Sequence, residues 1–374
     1  MSLNARAHLL DLPPYEPVEP YDVVAARSGW PPQRLLKLDA NENPYGPLPQ
    51  VRAALAELAF PHIYPDPESR ALRQALAEFT QVPAEYLLAG AGADELIDLL
   101  LRAILDPGDA VVICPPTFGM YAFDARINAA RVIAVARRPD FGLDVEAIAT
   151  AVESSQAKAL LLATPNNPDG SLPSRAVLEA LLALPTLVVL DEAYIEFVDD
   201  GGPWGARRSF IRQVPERENL VVLRTFSKWA GLAGLRVGYG AFPRWLAQVL
   251  WRIKQPYNVN VAAQVAALVT LQHREQWLPV VQRLQQVRRE LFQRLQAMPG
   301  IEPYPSQTNF VLARITAAGL DGRTVRDRLL REHGVLVRYF DKPGLHDHIR
   351  ISAGKPEDMP RLYQALEAVL QNPA

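Results

Sequence analysis

The stretch 220–240, LVVLRTFSKWAGLAGLRVGYG, constrains this chain more than any other. Residues 220–223 form an apolar run of the kind that fills a parallel strand buried on both faces. A Thr-Phe-Ser-Lys turn follows, then a glycine-rich loop, Arg236 and a second apolar run, 237–241. Lys228 therefore stands on a short loop pinned between two buried segments. An amine held there can be partly desolvated and surrounded by cations, both of which favour its use as a nucleophile. Ser227 and Arg236 add a hydroxyl and a fork-shaped cation, a pair suited to a phosphate dianion. A nucleophilic lysine beside a phosphate site suggests a Schiff base with a phosphorylated aldehyde, for which pyridoxal 5'-phosphate is the obvious candidate.

The rest of the chain bounds what surrounds that site. Its 374 residues suit two domains, or one large domain with a smaller lobe. A hydrophobic share of 49% with 21% charged residues is that of a globular protein. The net charge of −2 offers no broad field for nucleic acid or an anionic membrane. No apolar stretch approaches the roughly 20 residues of a membrane span. Cys114 is the single cysteine, which excludes an intrachain disulfide and suggests a reducing, cytoplasmic compartment. The opening MSLNARAHLLDLPPYEP lacks the long apolar core of a secretory signal. No metal is expected.

Further apolar runs end in polar groups. Residues 86–89 precede Gly90-Ala91-Gly92-Ala93-Asp94-Glu95 and a helix reaching Leu105. A helix start presents free N–H groups and positive dipole charge to an anion, and the small Gly92 and Ala93 let it approach the backbone. Asp94 suits the same first turn. Residues 110–114 lead to Phe118, at the strand end where α/β proteins bind ligands. Its ring either stacks on a pyridine or packs in the core. The run 159–163 leads to Asn166 and Asn167 in a turn. Residues 186–190 end in Asp191-Glu192-Ala193-Tyr194. A carboxylate at the end of a buried strand is costly without a cation, and a protonated pyridine nitrogen is such a cation. Tyr194, three residues on, can reach the cofactor's phenolic oxygen.

Outside this core, Asn41 lies in LDANENPYGP and Tyr21 near the start of a short helix in VEPYDVV. Tyr64 is held outward by the prolines of Ile63-Tyr64-Pro65-Asp66-Pro67. Tyr257 follows Lys254-Gln255-Pro256, and one long helical stretch is expected from about 261 to 298. Arg338 and Arg350 fall on apolar strands, either facing solvent or clamping an anion.

SKWAGLAGLRVGY resembles the lysine segment of the class I/II aminotransferases. Asn41, Tyr64, the 90–95 turn, Asn167, Asp191, Tyr194, Lys228, Arg236 and Arg350 follow that family's order along most of the chain. LDANENPYGP, CPPTFGMY, DEAYIEF and RTFSK are similar to its histidinol-phosphate branch. The resemblance implies the α/β fold-type-I architecture: a large domain, 46–268, with a mainly parallel seven-stranded sheet between helices. A smaller α+β domain, 269–374, would be joined by the N-terminal segment 1–45. It implies a homodimer with shared active sites, where Tyr64 reaches the cofactor phosphate of the other subunit. Asn167 would bind the phenolic oxygen, although Asp169 stands where the family pattern has Thr. Arg350 would bind substrate carboxylate and, with Arg338, a substrate phosphate. Tyr21, Asn41 and Tyr257 would help line the substrate pocket. The implied reaction exchanges histidinol phosphate and 2-oxoglutarate for imidazole-acetol phosphate and glutamate, in histidine biosynthesis. An aromatic amino-acid aminotransferase, a phosphothreonine-type decarboxylase and a catalytically dead regulator are the alternatives.

Overall fold

The computed structural model describes residues 5–15 and 17–372. Among the described residues, twelve strands occur in chain order: β1 Leu36–Leu38, β2 Leu87–Gly90, β3 Ala110–Ile113, β4 Arg131–Ala134, β5 Ala159–Ala163, β6 Leu187–Asp191, β7 Leu220–Thr225, β8 Gly238–Ala241, β9 Ile301–Pro303, β10 Phe310–Ile315, β11 Val335–Tyr339 and β12 His348–Ser352. Seven of them form one sheet in the order β2-β8-β7-β6-β5-β3-β4. Only β8 runs against its neighbours, β2 and β7. The other pairs are parallel.

The physical reason is legible in the strands. β3, β5, β6 and β7 are buried at every position. Alternate residues feed two apolar layers. Val112, Leu160, Leu190 and Val222 face one layer, and Val111, Leu161, Val189 and Val221 face the other. Such strands are stable only with helices on both faces, which crossover connections supply. β4 was not apparent from the sequence. It is an edge strand with both end residues exposed, so it lacks a continuous apolar signature.

The other five strands form a second sheet, β1-β11-β12-β10-β9. β1 pairs parallel to β11, which ties the N-terminal segment to the C-terminal part of the chain. β11 and β12 are antiparallel, with Arg338 directly opposite Arg350.

The single long helix expected over 261–298 is two helices. Val261–Gln272 ends, Arg274–Trp277 forms a 3-10 turn, and Leu278–Gln296 begins anew. Pro279 lies in the first turn of the second helix, where its missing N–H is harmless. In the interior of one continuous helix it would have removed a hydrogen bond and met the preceding turn.

Candidate active site

The carboxyl ends of β3, β5, β6 and β7 open onto a cavity of about 1150 Å3, bounded on its far side by Arg338 and Arg350 of the second sheet. Parallel strands place the residues that follow them at one edge, which is why loops distant in sequence converge there.

Lys228 follows β7. Its Nζ lies 3.3 Å from the Ala40 carbonyl oxygen, to which it donates, and 5.9 Å from the centre of the Tyr194 ring. Ser227, just before it, is buried, and its hydroxyl oxygen accepts from Thr225 Oγ1 at 2.9 Å and Arg236 Nη1 at 3.5 Å. Arg236 Nη2 also donates to Asp94 Oδ2 at 2.9 Å. Asp94 is in the first turn of helix Ala93–Ile104, whose preceding residue is Gly92 with φ 87°. A Cβ at Gly92 would lie 2.5 Å from Arg236 Nη2, so glycine serves both the backbone angle and the close approach of the guanidinium. Ser227, Arg236 and this helix start form a cup of donors that could hold a phosphate.

Asp191 ends β6 and is 6% exposed. Its Oδ1 accepts from the Ala193 N–H at 3.1 Å and its Oδ2 from the Tyr121 hydroxyl at 2.8 Å. Burial pushes the carboxyl up to about 6. Phe118 lines the cavity, with its ring edge-on to Tyr121 at 5.6 Å and 84°.

Tyr194 accepts at its hydroxyl from Asn41 Nδ2 at 3.0 Å, which leaves its own proton available to another acceptor. Asn41 is buried with φ 55° and is held by Ser352 and Asn309. Asn167 Oδ1 accepts from Arg350 Nη1 at 2.5 Å, which leaves the Asn167 amide hydrogens for a ligand. Arg350 is 5% exposed, donates its Nη2 to the Asp39 carbonyl at 2.8 Å, and has a buried Nε with no partner among the described residues. Burial pulls its pKa down to about 10. The neighbouring Asp169 accepts from Asn166 and from the Ser171 N–H, so the departure from Thr is accommodated inside its own turn.

The donor set fits pyridoxal phosphate. Asp191 is a buried carboxylate in need of a cation, the Ser227–Arg236 cup suits a dianion, and Lys228 lines the same cavity. Among the described residues, no group of three or more His, Cys, Asp or Glu could hold a metal, and no helix is long and apolar enough to cross a membrane. The Cys114 thiol is buried and pushed up to about 11.

Two expectations differ from what the structure shows. Tyr21 does not reach the cavity. Its hydroxyl donates to the carbonyls of Pro32 and Leu35, and its ring packs on Val24, Ala25, Leu35 and Leu336. As the first residue of helix Tyr21–Ser28 it is turned toward that apolar cluster. Tyr15 lines the cavity instead, directly after Pro13 and Pro14 in the chain. Tyr257 does not line its own chain's cavity either. It has φ 60° and stacks on Tyr64, with ring centres 4.5 Å apart and planes 18° apart. Tyr64 is 77% exposed and also lies outside the cavity of its own chain. Tyr15 and Tyr121 were both missed in the sequence. The proline pair before Tyr15 was the available signal for the first. Tyr121 has no local signal, since a tyrosine near a helix start reads as packing.

Residues 33–366 match the family model described as aminotransferase class I and II. The chain is 51% identical over 362 residues to a chloroplastic histidinol-phosphate aminotransferase of Nicotiana tabacum, covering 97% of this chain and 86% of that protein. It is 50% identical over 370 residues to a histidinol-phosphate aminotransferase of Roseiflexus castenholzii, covering 97% of each. Among solved structures it resembles histidinol-phosphate aminotransferase from Sinorhizobium meliloti in complex with pyridoxal-5'-phosphate. That match has a TM-score of 0.89 and 28% identity, and covers 100% of this chain and 99% of the other.

Proposed function

Because this chain belongs to the class I and II aminotransferases, we propose that it transfers the amino group of histidinol phosphate to 2-oxoglutarate, a step of histidine biosynthesis, with pyridoxal phosphate as cofactor. The observation that carries the reading is the convergence of Lys228, Asp191 and the Ser227–Arg236 cup on one cavity whose opposite wall holds two arginines.

Bound pyridoxal phosphate supplies an electron sink that acidifies the substrate Cα–H. The protein does the rest. Ser227, Arg236 and the backbone of Gly92, Ala93 and Asp94 would hold the phosphate end. Phe118 would supply a flat face for the ring. Asp191 would keep a proton on the pyridine nitrogen. Tyr194 and Asn167 donate to the phenolic oxygen, since Asn41 and Arg350 occupy their other hydrogen-bonding capacity. Lys228 would hold the cofactor, and its amine would serve as the base that takes the proton from Cα and the acid that returns it. Arg350 pairs with carboxylate, and Arg338 with Arg350 takes the phosphate dianion. Asn41 and Tyr15 narrow the substrate end of the cavity.

Two chains complete the site in this reading. Tyr64 and its stacked partner Tyr257 are turned away from their own cavity and suited to a second subunit's. The proposed division is a large domain, 46–268, and a small domain, 269–374, with 1–45 attached to the latter; among the described residues the β1–β11 pairing supports that attachment. A cytoplasmic location is part of the proposal, with a plastid as the alternative suggested by the name of the tobacco relative.

Purified protein treated with borohydride should carry the reduced cofactor on Lys228 alone, and a separate untreated sample should form glutamate from 2-oxoglutarate only when histidinol phosphate is added. Label on another lysine, or no glutamate, would overturn the proposal.

A further inference from the structure

Tyr121 belongs to helix Met120–Ile127, directly after the loop that carries Phe118. It is 1% exposed, and its hydroxyl donates to Asp191 Oδ2 at 2.8 Å. The Ala193 N–H holds the other carboxylate oxygen. Tyr121 is thus the one side chain among the described residues that donates to Asp191. Its ring also braces Phe118 edge-on.

We propose that Tyr121 is a positioning residue that keeps a proton on the pyridine nitrogen by holding Asp191 as its carboxylate. The inference rests on the pyridoxal-phosphate reading above. A proton between Asp191 and a ring nitrogen is shared by two bases. Burial makes the carboxylate more basic, and donation from Tyr121 works against that rise. Without the hydroxyl, Asp191 competes better for the proton, the ring loses positive charge and the electron sink weakens. Tyr121 is a dependable donor because burial, and then the adjacent Asp191, push its own pKa well above the usual value. Phenylalanine at this position keeps the edge contact with Phe118 and removes only the donation.

The test uses holoenzyme carrying Tyr121→Phe, Asp191→Asn or both. A more nearly neutral ring opposes protonation at the Lys228 nitrogen less. The midpoint of the pH-dependent change in cofactor absorbance should therefore move upward by about one unit in Tyr121→Phe. The loss in kcat/KM should be about 10- to 150-fold, and equal for histidinol phosphate and glutamate, because the ring serves both. In the Asp191→Asn background, adding Tyr121→Phe should change kcat/KM by less than about twofold, since residues in one network do not add. An unchanged midpoint, or a full second loss in the double variant, overturns the inference. Should Tyr121→Phe fail to fold, 3-fluorotyrosine at position 121 keeps the shape and strengthens the donor. The midpoint should then move downward, and no movement overturns the inference. Wild-type protein without any cofactor absorbance would overturn the cofactor reading instead.

Discussion

In the proposed reaction, Arg350 would meet the demands that both half-reactions make on one cavity. Its Nη1 and Nη2 are engaged by Asn167 and Asp39, while its Nε is buried and unpaired among the described residues. Such a donor costs about 1–3 kcal/mol until an anion satisfies it. Arg338, opposite it in the β11–β12 register, adds the second charge that a phosphate dianion favours over a carboxylate. Losing a hydrogen bond to a charged group costs about 1.5–3 kcal/mol, roughly 10- to 150-fold. Arg338→Ala is therefore expected to lower kcat/KM for histidinol phosphate by about that factor and for glutamate by less, while Arg350→Ala damages both. Single-turnover kinetics of each half-reaction read this directly. Equal losses for the two substrates in Arg338→Ala would assign Arg338 a structural role. Residues that break a local rule were legible from sequence alone. Asp191 ends an apolar strand and Lys228 interrupts two buried segments, so each needed a reason. Tyr121, Tyr15 and Tyr21 broke no rule, and only the packing of elements distant in the chain separates the one that lines the cavity and the one that donates to Asp191 from the one that does neither.

At the scale of elements, the carboxyl ends of β6 and β7 are braced from the face opposite Asp191. Glu192 accepts from Arg224, the Ser209 hydroxyl and the Phe210 N–H. Glu196 is equally buried, yet neither of its oxygens has a hydrogen-bond donor among the described residues, and Arg224 Nη1 is 3.8 Å away. Burial pushes its carboxyl from 4.5 up to about 8. The folded protein therefore holds this proton more tightly than the unfolded chain. Its contribution to stability is complete below about 4.5 and is lost as pH rises through about 8. Glu196→Gln should flatten the fall in stability between about pH 4.5 and 8, measured by denaturant unfolding across that range. An unchanged pH dependence would mean that Glu196 is ionised throughout. The strands themselves were readable because period and burial agree. β5 coincides with its apolar run, and β6 is displaced by one residue, which makes Asp191 part of the strand. β4 was not readable because an edge strand needs no apolar continuity, and the split at Pro279 was hidden by helical spacing on both sides of it.

For the whole molecule, the stacked Tyr64–Tyr257 pair, with Phe60 and Ile63 exposed nearby in sequence, is suited to a second copy of the chain. If sites are shared, chains carrying Lys228→Ala and chains carrying Tyr64→Ala are each impaired alone but complement when mixed and reassembled. Random pairing makes half the dimers hybrid with one intact site each, so activity should approach about a quarter of wild type. No recovery, or a fully active monomer in sedimentation, would contradict shared sites. The central claim is the identity of the amino donor, because the same scaffold can serve aromatic amino acids or decarboxylate a phosphorylated one. The most direct measurement compares kcat/KM for histidinol phosphate, phenylalanine and phosphothreonine in one preparation of the enzyme, with glutamate and carbon dioxide both quantified. Histidinol phosphate should exceed phenylalanine by at least about tenfold, the least that one charge-assisted contact to phosphate provides, with no carbon dioxide released. Faster turnover of phenylalanine, or carbon dioxide from phosphothreonine, would contradict it.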